Sequence, residues 1–419
     1  MAAIIGGGLA AADSWEQLRR SDVLLVRGDG DCGYSFRGRS YSPMVDSIGD
    51  LLTERGLAVC AVAKPYARLV GDRAHFDPVS CNRSTAIAEL GGIVVRMRSG
   101  REARVRWLKQ RKIDLWSRML RLSGARFVIA INPDAELCRA ARLCAVTVYD
   151  MQHGVVDAGN PWYDERSGAS VDAQDLPHGF LCWDEASADY LRGWAPQKGL
   201  HVHIIGNPWF ARFSRRDARD VLVQEALSAT PRLRDERGTI LVSLQWGLKS
   251  FFYADTSFNG VLADALEQTI CSTAQRYRWL LRLHPNQLRG PDGEATLAYL
   301  QATYGAFATV EWEHASRAPL PLVLSEVDLH ITDSSSVVIE AGWLGLKSAL
   351  LNPLFQPGAR FSHMYSQQRN AGLAELLPQD ADSIKSWIEC NLDRSRAARA
   401  PHYDDAAAGL VAEIQESCR

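Results

Sequence analysis

The sequence has no long apolar run. Its most apolar opening, MAAIIGGGLAAADSW, lacks a basic leader and is too short to span a bilayer, so neither a signal peptide nor an anchor is expected there. That stretch reads as a loosely held leader before the first strand. Nine cysteines (Cys32, Cys60, Cys81, Cys138, Cys144, Cys182, Cys271, Cys390, Cys418) include no CxxC pair, which excludes the usual zinc patterns. Their odd, dispersed count suits reduced thiols in the cytoplasm. Neither sign of charge is in excess: the formal net charge is −2 with 23% charged residues, so nothing demands a nucleic-acid partner. No internal repeat or low-complexity tract occurs. What is present is 419 residues, 47% of them hydrophobic, enough for two domains of ordinary size.

The chain is organised around residues 279–353, which read WLLRLHPNQ and, further on, LHITDSSSVVIEAGWLGLKSALLNP. Each half is a short apolar run that ends in polar residues, the way a buried parallel strand delivers side chains to a ligand. Residues 280–283 predict one strand, with His284, Pro285 and Asn286 at its carboxyl end. Residues 329–332 predict a neighbouring strand, after which Asp333, Ser334, Ser335 and Ser336 cap a helix over 337–344. Serines at a helix start offer hydroxyls, backbone N–H groups and the positive end of the dipole to a phosphate. Glu340, one turn in, can accept from ribose hydroxyls or a base edge. Capping alone would account for Asp333 and the serines.

A strand ending in His-Pro, followed about 50 residues later by a strand, a Ser-Ser pair and a helix, resembles the C-terminal domain of GT-B glycosyltransferases. The pattern is most similar to bacterial sialyl-, polysialyl- and Kdo-transferases and to capsule or O-antigen enzymes. Gln152-His153-Gly154 and Gly206-Asn207-Pro208 also resemble motifs of surface-polysaccharide transferases. The resemblance implies an α/β, GT-B fold of two Rossmann-like domains whose parallel sheets face each other across a cleft. It places His284, Pro285, Ser334, Ser335 and Ser336 around a CMP-linked nucleotide sugar; by their places in the neighbouring strands, helix and loops, Asn286, Glu340, Arg282, Gln245 and Trp246 are read as donor-binding beside them. No other cofactor and no metal is expected.

Residues 1–206 are read as the acceptor-side domain, 207–238 as a linker, 239–395 as the nucleotide-binding domain, and 396–419 as a segment able to pack back on the first. After a strand over 22–27, Gly28, Gly30 and Gly33 spell GxGxxG. A dinucleotide fingerprint should open a helix directly, yet some ten residues with a proline intervene, and Asp29 and Asp31 would repel a pyrophosphate. Asp29-Gly30-Asp31 also satisfies the DxD metal pattern, but a glycine-rich acceptor loop is the better reading. Asp29, Asp31, His153 and Asp157 are the candidates for general base or nucleophile. Arg27, Arg37, Arg39 and Arg282 are candidates for the carboxylate of an ulosonic acid. The loop over 160–170 reads as an acceptor-binding or lid loop.

A densely basic region over 96–121 carries an apolar stripe (Val105, Leu108, Leu115, Met119, Leu122). It is either a core-facing helix with a solvated basic face or a surface for the inner membrane or a lipid-linked glycan acceptor. Together these readings give a cytoplasmic glycosyltransferase, peripheral at the membrane, moving Kdo or sialic acid from CMP to a surface glycan. UDP- or TDP-hexose transfer, CDP-glycerol-type phosphotransfer, nucleotide-sugar epimerisation and a non-catalytic glycan-binding module stay open beside it.

Overall fold

The short apolar runs become parallel strands whose residues are buried on both faces. The computed structural model describes residues 2–157, 160, 163–164, 171–253, 260–288, 290–397 and 407–418. They form two compact units, Met1–Trp209 with Asp405–Arg419, and Phe210–Asp404.

In the first unit the strands are β1 (Val23–Arg27), β2 (Tyr34–Phe36), β3 (Arg39–Tyr41), β4 (Val59–Ala63), β5 (Phe127–Ala130), β6 (Thr147–Met151), β7 (Gly179–Cys182) and β8 (His201–Ile204). Six of them make a parallel sheet in the order β4-β1-β5-β6-β7-β8, and β2 and β3 form a separate antiparallel hairpin. Alternation sends Val23 and Leu25 to one core and Leu24 and Val26 to the other. The hairpin is what separates the GxGxxG glycines from the helix Val45–Glu54, so they cradle no helix start.

Arg27, at the end of β1, is 2% exposed and pairs with the fully buried Asp46 at 2.6 Å. It also donates to the Ser40 carbonyl, which ties the hairpin to the sheet.

The second unit holds β9 (Thr239–Ser243), β10 (Arg278–Arg282), β11 (Val310–Glu311), β12 (Leu329–Thr332), β13 (Ser348–Leu350) and β14 (Ala374–Leu376), all parallel in the order β11-β10-β9-β12-β13-β14. Ile240, Val242, Trp279, Leu281, Leu329 and Ile331 share one core, while Leu241 and Leu280 enter the other. This is the doubly wound order, in which connections leave the first strand toward opposite edges and open a crevice at its carboxyl end. β10 and β12 are therefore not neighbours, as their sequence motifs suggested. β9 runs between them.

Residues 207–238, read above as a linker, hold helices Pro208–Arg215 and Val221–Ala229 and give Phe210 and Leu233 to a core of the second unit. Pro208 begins a helix, where a missing N–H costs nothing. The helix Ala407–Cys418 returns to the first unit, burying Leu410, Val411 and Ile414 against Val23 and Leu25. The apolar leader is the helix Ala2–Ala10, and Gly8 lies so close to the helix Asn82–Ser123 that an added Cβ would meet Ala86 at 3.0 Å. All nine cysteines are free thiols.

Candidate functional site

At the carboxyl ends of β10, β9 and β12 in the second unit, two glutamines lace three loops together. Gln287, 4% exposed, accepts from the His284 backbone N–H at 2.9 Å and donates to the Gln245 carbonyl at 3.2 Å. Gln245 donates to the Ser243 carbonyl and to the Thr332 hydroxyl, and its Oε1 accepts from the Ser334 N–H at 3.2 Å. The His-Pro and Ser-Ser loops are thus joined by an unbroken hydrogen-bonded path through the loop after β9. Gln245 was expected to touch the donor. Its amide is spent on protein partners, so it braces the loops that would.

His284 has a defined tautomer. The Asn286 N–H points at Nδ1 at 3.2 Å, so Nδ1 carries the lone pair. Surrounding protein, and secondarily the Arg282 guanidinium, lower its pKa to about 4 although the residue keeps an exposed surface. The ring is therefore neutral at neutral pH, with its proton on Nε2. It can donate one hydrogen bond outward but brings no charge. Pro285 and Asn286 continue as a single turn, half-buried beside it.

Ser334, Ser335 and Ser336 lie half-buried between β12 and the helix Val337–Trp343. Their backbone amides were expected to face a phosphate. Two are consumed internally, Ser334 by Gln245 and Ser335 by the Thr332 hydroxyl at 3.2 Å. The helix has only seven residues, so its dipole adds little. What remains is hydroxyl: Ser334 Oγ and Ser336 Oγ have no partner among the described residues, and Ser335 Oγ weakly caps Val337 at 3.4 Å. Asp333 is structural, accepting from Tyr253 at 2.6 Å and Asn352 at 2.7 Å.

Glu340 is 7% exposed and its carboxyl group makes no hydrogen bond to any described residue. Burial raises its pKa to about 8, opposed by the charge of Arg282. Arg282 itself donates to the carbonyls of Ala315 and Ala318, which close a neighbouring helix, and so is not free to grip a substrate carboxylate as expected. Trp246 keeps 47% of its surface exposed beside the cluster.

The first unit gathers polar groups at its own switch point, where β1 and β5 end. Asp29 is pinned: its two carboxylate oxygens accept from the Arg68 and Leu69 amides at 2.8 and 3.1 Å. Both oxygens of this candidate base are thus held by the 68–69 backbone. Asp31 accepts from the Gly28 N–H at 3.1 Å, stays half-buried, and has its pKa raised by desolvation against the opposing charges of Lys64 and Arg27. Lys64 donates to the Ile131 carbonyl at 2.6 Å. Asp150, 5% exposed, accepts from the Asn132 N–H at 2.9 Å, and burial raises its pKa to about 7.

Both nitrogens of His153 are occupied, Nδ1 by the Tyr163 hydroxyl at 3.2 Å and Nε2 by the Asn132 amide at 3.4 Å. Burial, then Lys64, lowers its pKa to about 4. It is a neutral ring held at both nitrogens. Gln152 is likewise a clamp, bonded to Gly154, Ser187 and Trp183. Asp157 is half-buried in the following loop. Residues 161–162 and 165–170 of the expected lid lie outside the described residues. Of the arginines considered for an ulosonate, Arg27 is paired with Asp46, Arg39 with Asp77 at 2.9 Å, and Arg282 is committed as above.

Lys64, Asn132 and Asp150 were missed from sequence. The available signal was a charged residue closing an apolar strand, Lys64 after VCAVA and Asp150 inside TVYDM.

The fold has known counterparts. Over 94% of this chain and 99% of the other, it is similar to the UDP-GlcNAc 2-epimerase of Methanocaldococcus jannaschii, with TM-score 0.56 and 10% identity. The UDP-GlcNAc 2-epimerase of Neisseria meningitidis bound to UDP-GlcNAc matches over the same shares, at 0.56 and 14%. The wall teichoic acid polymerase TagF matches over 99% and 92%, at 0.51 and 12%. The chain therefore has the GT-B fold. No protein-family model and no curated protein sequence matches it.

Proposed function

We propose that the protein is a glycosyltransferase that draws a sugar from a nucleotide-activated donor, with the nucleotide held by the second unit. The observation that carries this is Glu340, a residue only 7% exposed whose carboxyl group has no hydrogen-bond partner among the described residues, set one turn beyond two serine hydroxyls that also have none among them. A carboxyl group in so little-exposed a place needs water or a ligand to complete it. Ribose hydroxyls supply the missing donors. The hydroxyls of Ser334 and Ser336 and the Nε2–H of His284 suit phosphate oxygens, whose developing charge they stabilise as the sugar departs. Asp31 is the proposed base on the acceptor hydroxyl, since desolvation makes its carboxylate more basic.

CMP is the leading nucleotide, on the resemblance of the His-Pro and Ser-Ser motifs. Kdo or sialic acid as the sugar rests on that resemblance; of the four arginines considered, Arg27, Arg39 and Arg282 are engaged elsewhere, and the Arg37 guanidinium lies 5.2 Å from the Phe36 ring. The acceptor would be a bacterial surface glycan.

Epimerisation of a nucleotide sugar is the second reading, favoured by solved structures of similar fold that are UDP-GlcNAc 2-epimerases. Mass spectrometry and NMR of products separate the two. A transferase leaves a CMP-sugar unchanged without acceptor and makes nucleotide and extended glycan with it. Interconversion of donor isomers in the absence of acceptor would establish the epimerase instead.

A further inference from the structure

The helix Asn82–Ser123 is interrupted at Gly100, whose φ of 84° is left-handed, and its two arms, 82–99 and 101–123, fold back on each other. Gly91 is the point of close approach: a Cβ there would sit 2.4 Å from the Trp107 ring, and one on Gly92 would meet Leu108 at 3.0 Å. Arg104 closes the hairpin by pairing with Glu89 at 2.9 Å.

With Gly91 and Gly92 facing the second arm, the other side of the first arm is left bare. Ile87, Leu90, Val94 and Met97 recur at i, i+3, i+7 and i+10 and form one stripe. They are 56%, 40%, 43% and 73% exposed, and Ile93 widens the stripe. A core-facing helix would have buried these residues. Toward the tip Val105 on the second arm is 59% exposed, and Arg96, Arg98, Arg101 and Arg106 are exposed on either side of Gly100.

Charge decides what covers this surface. Residues 82–123 carry eleven Lys and Arg against three Asp and Glu, a net of +8 in a chain whose formal net charge is −2. Arg96, Arg98 and Arg101 have no ion-pair partner among the described residues. A second copy of the same stripe would bring arginines against arginines, which like-charge repulsion opposes. An apolar stripe edged by unpaired arginines is complementary instead to a lipid interface with anionic headgroups. Between the arms and their neighbours a groove of about 780 Å³, lined in part by Ile87, Trp107, Arg111 and Arg118, continues the same apolar and basic chemistry. No helix among the described residues is long and apolar enough to cross a membrane, so the hairpin would lie on the surface.

We infer that the 82–123 hairpin is a membrane-docking element that inserts its apolar stripe into the interface of an anionic bilayer while its arginines engage lipid phosphates. This stands apart from the identity of the reaction.

The test is co-sedimentation of the full chain with vesicles of equal parts phosphatidylglycerol and phosphatidylcholine, and with phosphatidylcholine alone. Binding should be at least about tenfold tighter to the anionic vesicles and should fall as salt is raised. V94D/M97D should weaken it about tenfold or more, and R96E/R98E/R101E should remove the preference for anionic lipid. Both variants alter exposed positions, so circular dichroism should match the unaltered chain. Hydrogen exchange on the unaltered chain gives an independent reading, with vesicle-dependent slowing confined to the arms and tip. Unchanged binding in both variants, or slowing confined to another region, overturns the inference. So does light scattering that finds a dimer dissolved by V94D/M97D, since a second copy would then be the occupant.

Discussion

Asp31→Asn should lower turnover about a thousandfold and leave nucleotide affinity unchanged, as expected for losing a general base outside the nucleotide site. Asparagine keeps the shape and can still accept from the Gly28 N–H, so the loop should hold. Asp29→Asn makes the informative contrast. Asp29 pins the 68–69 backbone, so its loss should appear first as reduced stability, with turnover of the folded fraction largely kept. The pH profile carries a second signature. Desolvation raises the Asp31 pKa above 3.8, and a base works only when deprotonated. The acid limb of kcat/KM should therefore lie above that of an ordinary aspartate. If Asp31→Asn keeps more than about a tenth of turnover, the base lies elsewhere and Asp157 is next in line.

Glu340→Gln should weaken nucleotide binding about tenfold to a hundredfold, the cost of losing a charged acceptor for ribose hydroxyls. In the free protein the same change should help. Burial lifts the Glu340 pKa from 4.5 to about 8, so the folded state keeps a proton that the unfolded chain has released. The folded state then binds more protons than the unfolded one between those values, and this group's contribution makes stability fall as pH rises through that window. Glutamine has no proton to lose. Its advantage should be small near pH 5 and grow to about 4 kcal/mol by pH 8 to 9, some 8–16 °C in melting temperature for units of this size.

Binding should show the opposite slope. Ribose donors favour the carboxylate, so affinity of the unaltered protein should rise with pH up to about 8, and the slope should vanish in Glu340→Gln. A variant that loses stability and keeps full affinity would make Glu340 a structural residue.

The local pieces of this protein were legible because each obeys a short-range rule. β12 coincides with the apolar run before Asp333, and His284 lies just past the end of β10 as its motif implied. The adjacency of the two was not legible. Strand order depends on which way each connection crosses the sheet, and nothing near His284 or Ser334 records that β9 lies between them. Gln245 and Gln287 were opaque for a related reason: a glutamine in a loop has the same letter whether its amide meets a ligand or ties three loops together.

In the 207–238 segment no local pattern records that Phe210 and Leu233 enter a core of the second unit. The first arm of the hairpin was hidden because its apolar stripe faces outward, where a core-seeking pattern gives no guidance. The catalytic side was least legible. Asp29 and Asp31 differ only in what folds over them, and Asp150 became visible as part of the cluster only once Asn132 and Lys64 were seen around it.

The central claim is that a nucleotide binds where β10, β9 and β12 end. Thermal shift with CMP, UMP and GMP, on the unaltered protein and on His284→Ala, tests it most directly. The account predicts that CMP raises the melting temperature more than UMP or GMP, and that His284→Ala abolishes most of that rise without lowering the melting temperature of the free protein. A chain indifferent to all three nucleotides, or one whose CMP response survives His284→Ala intact, would contradict it.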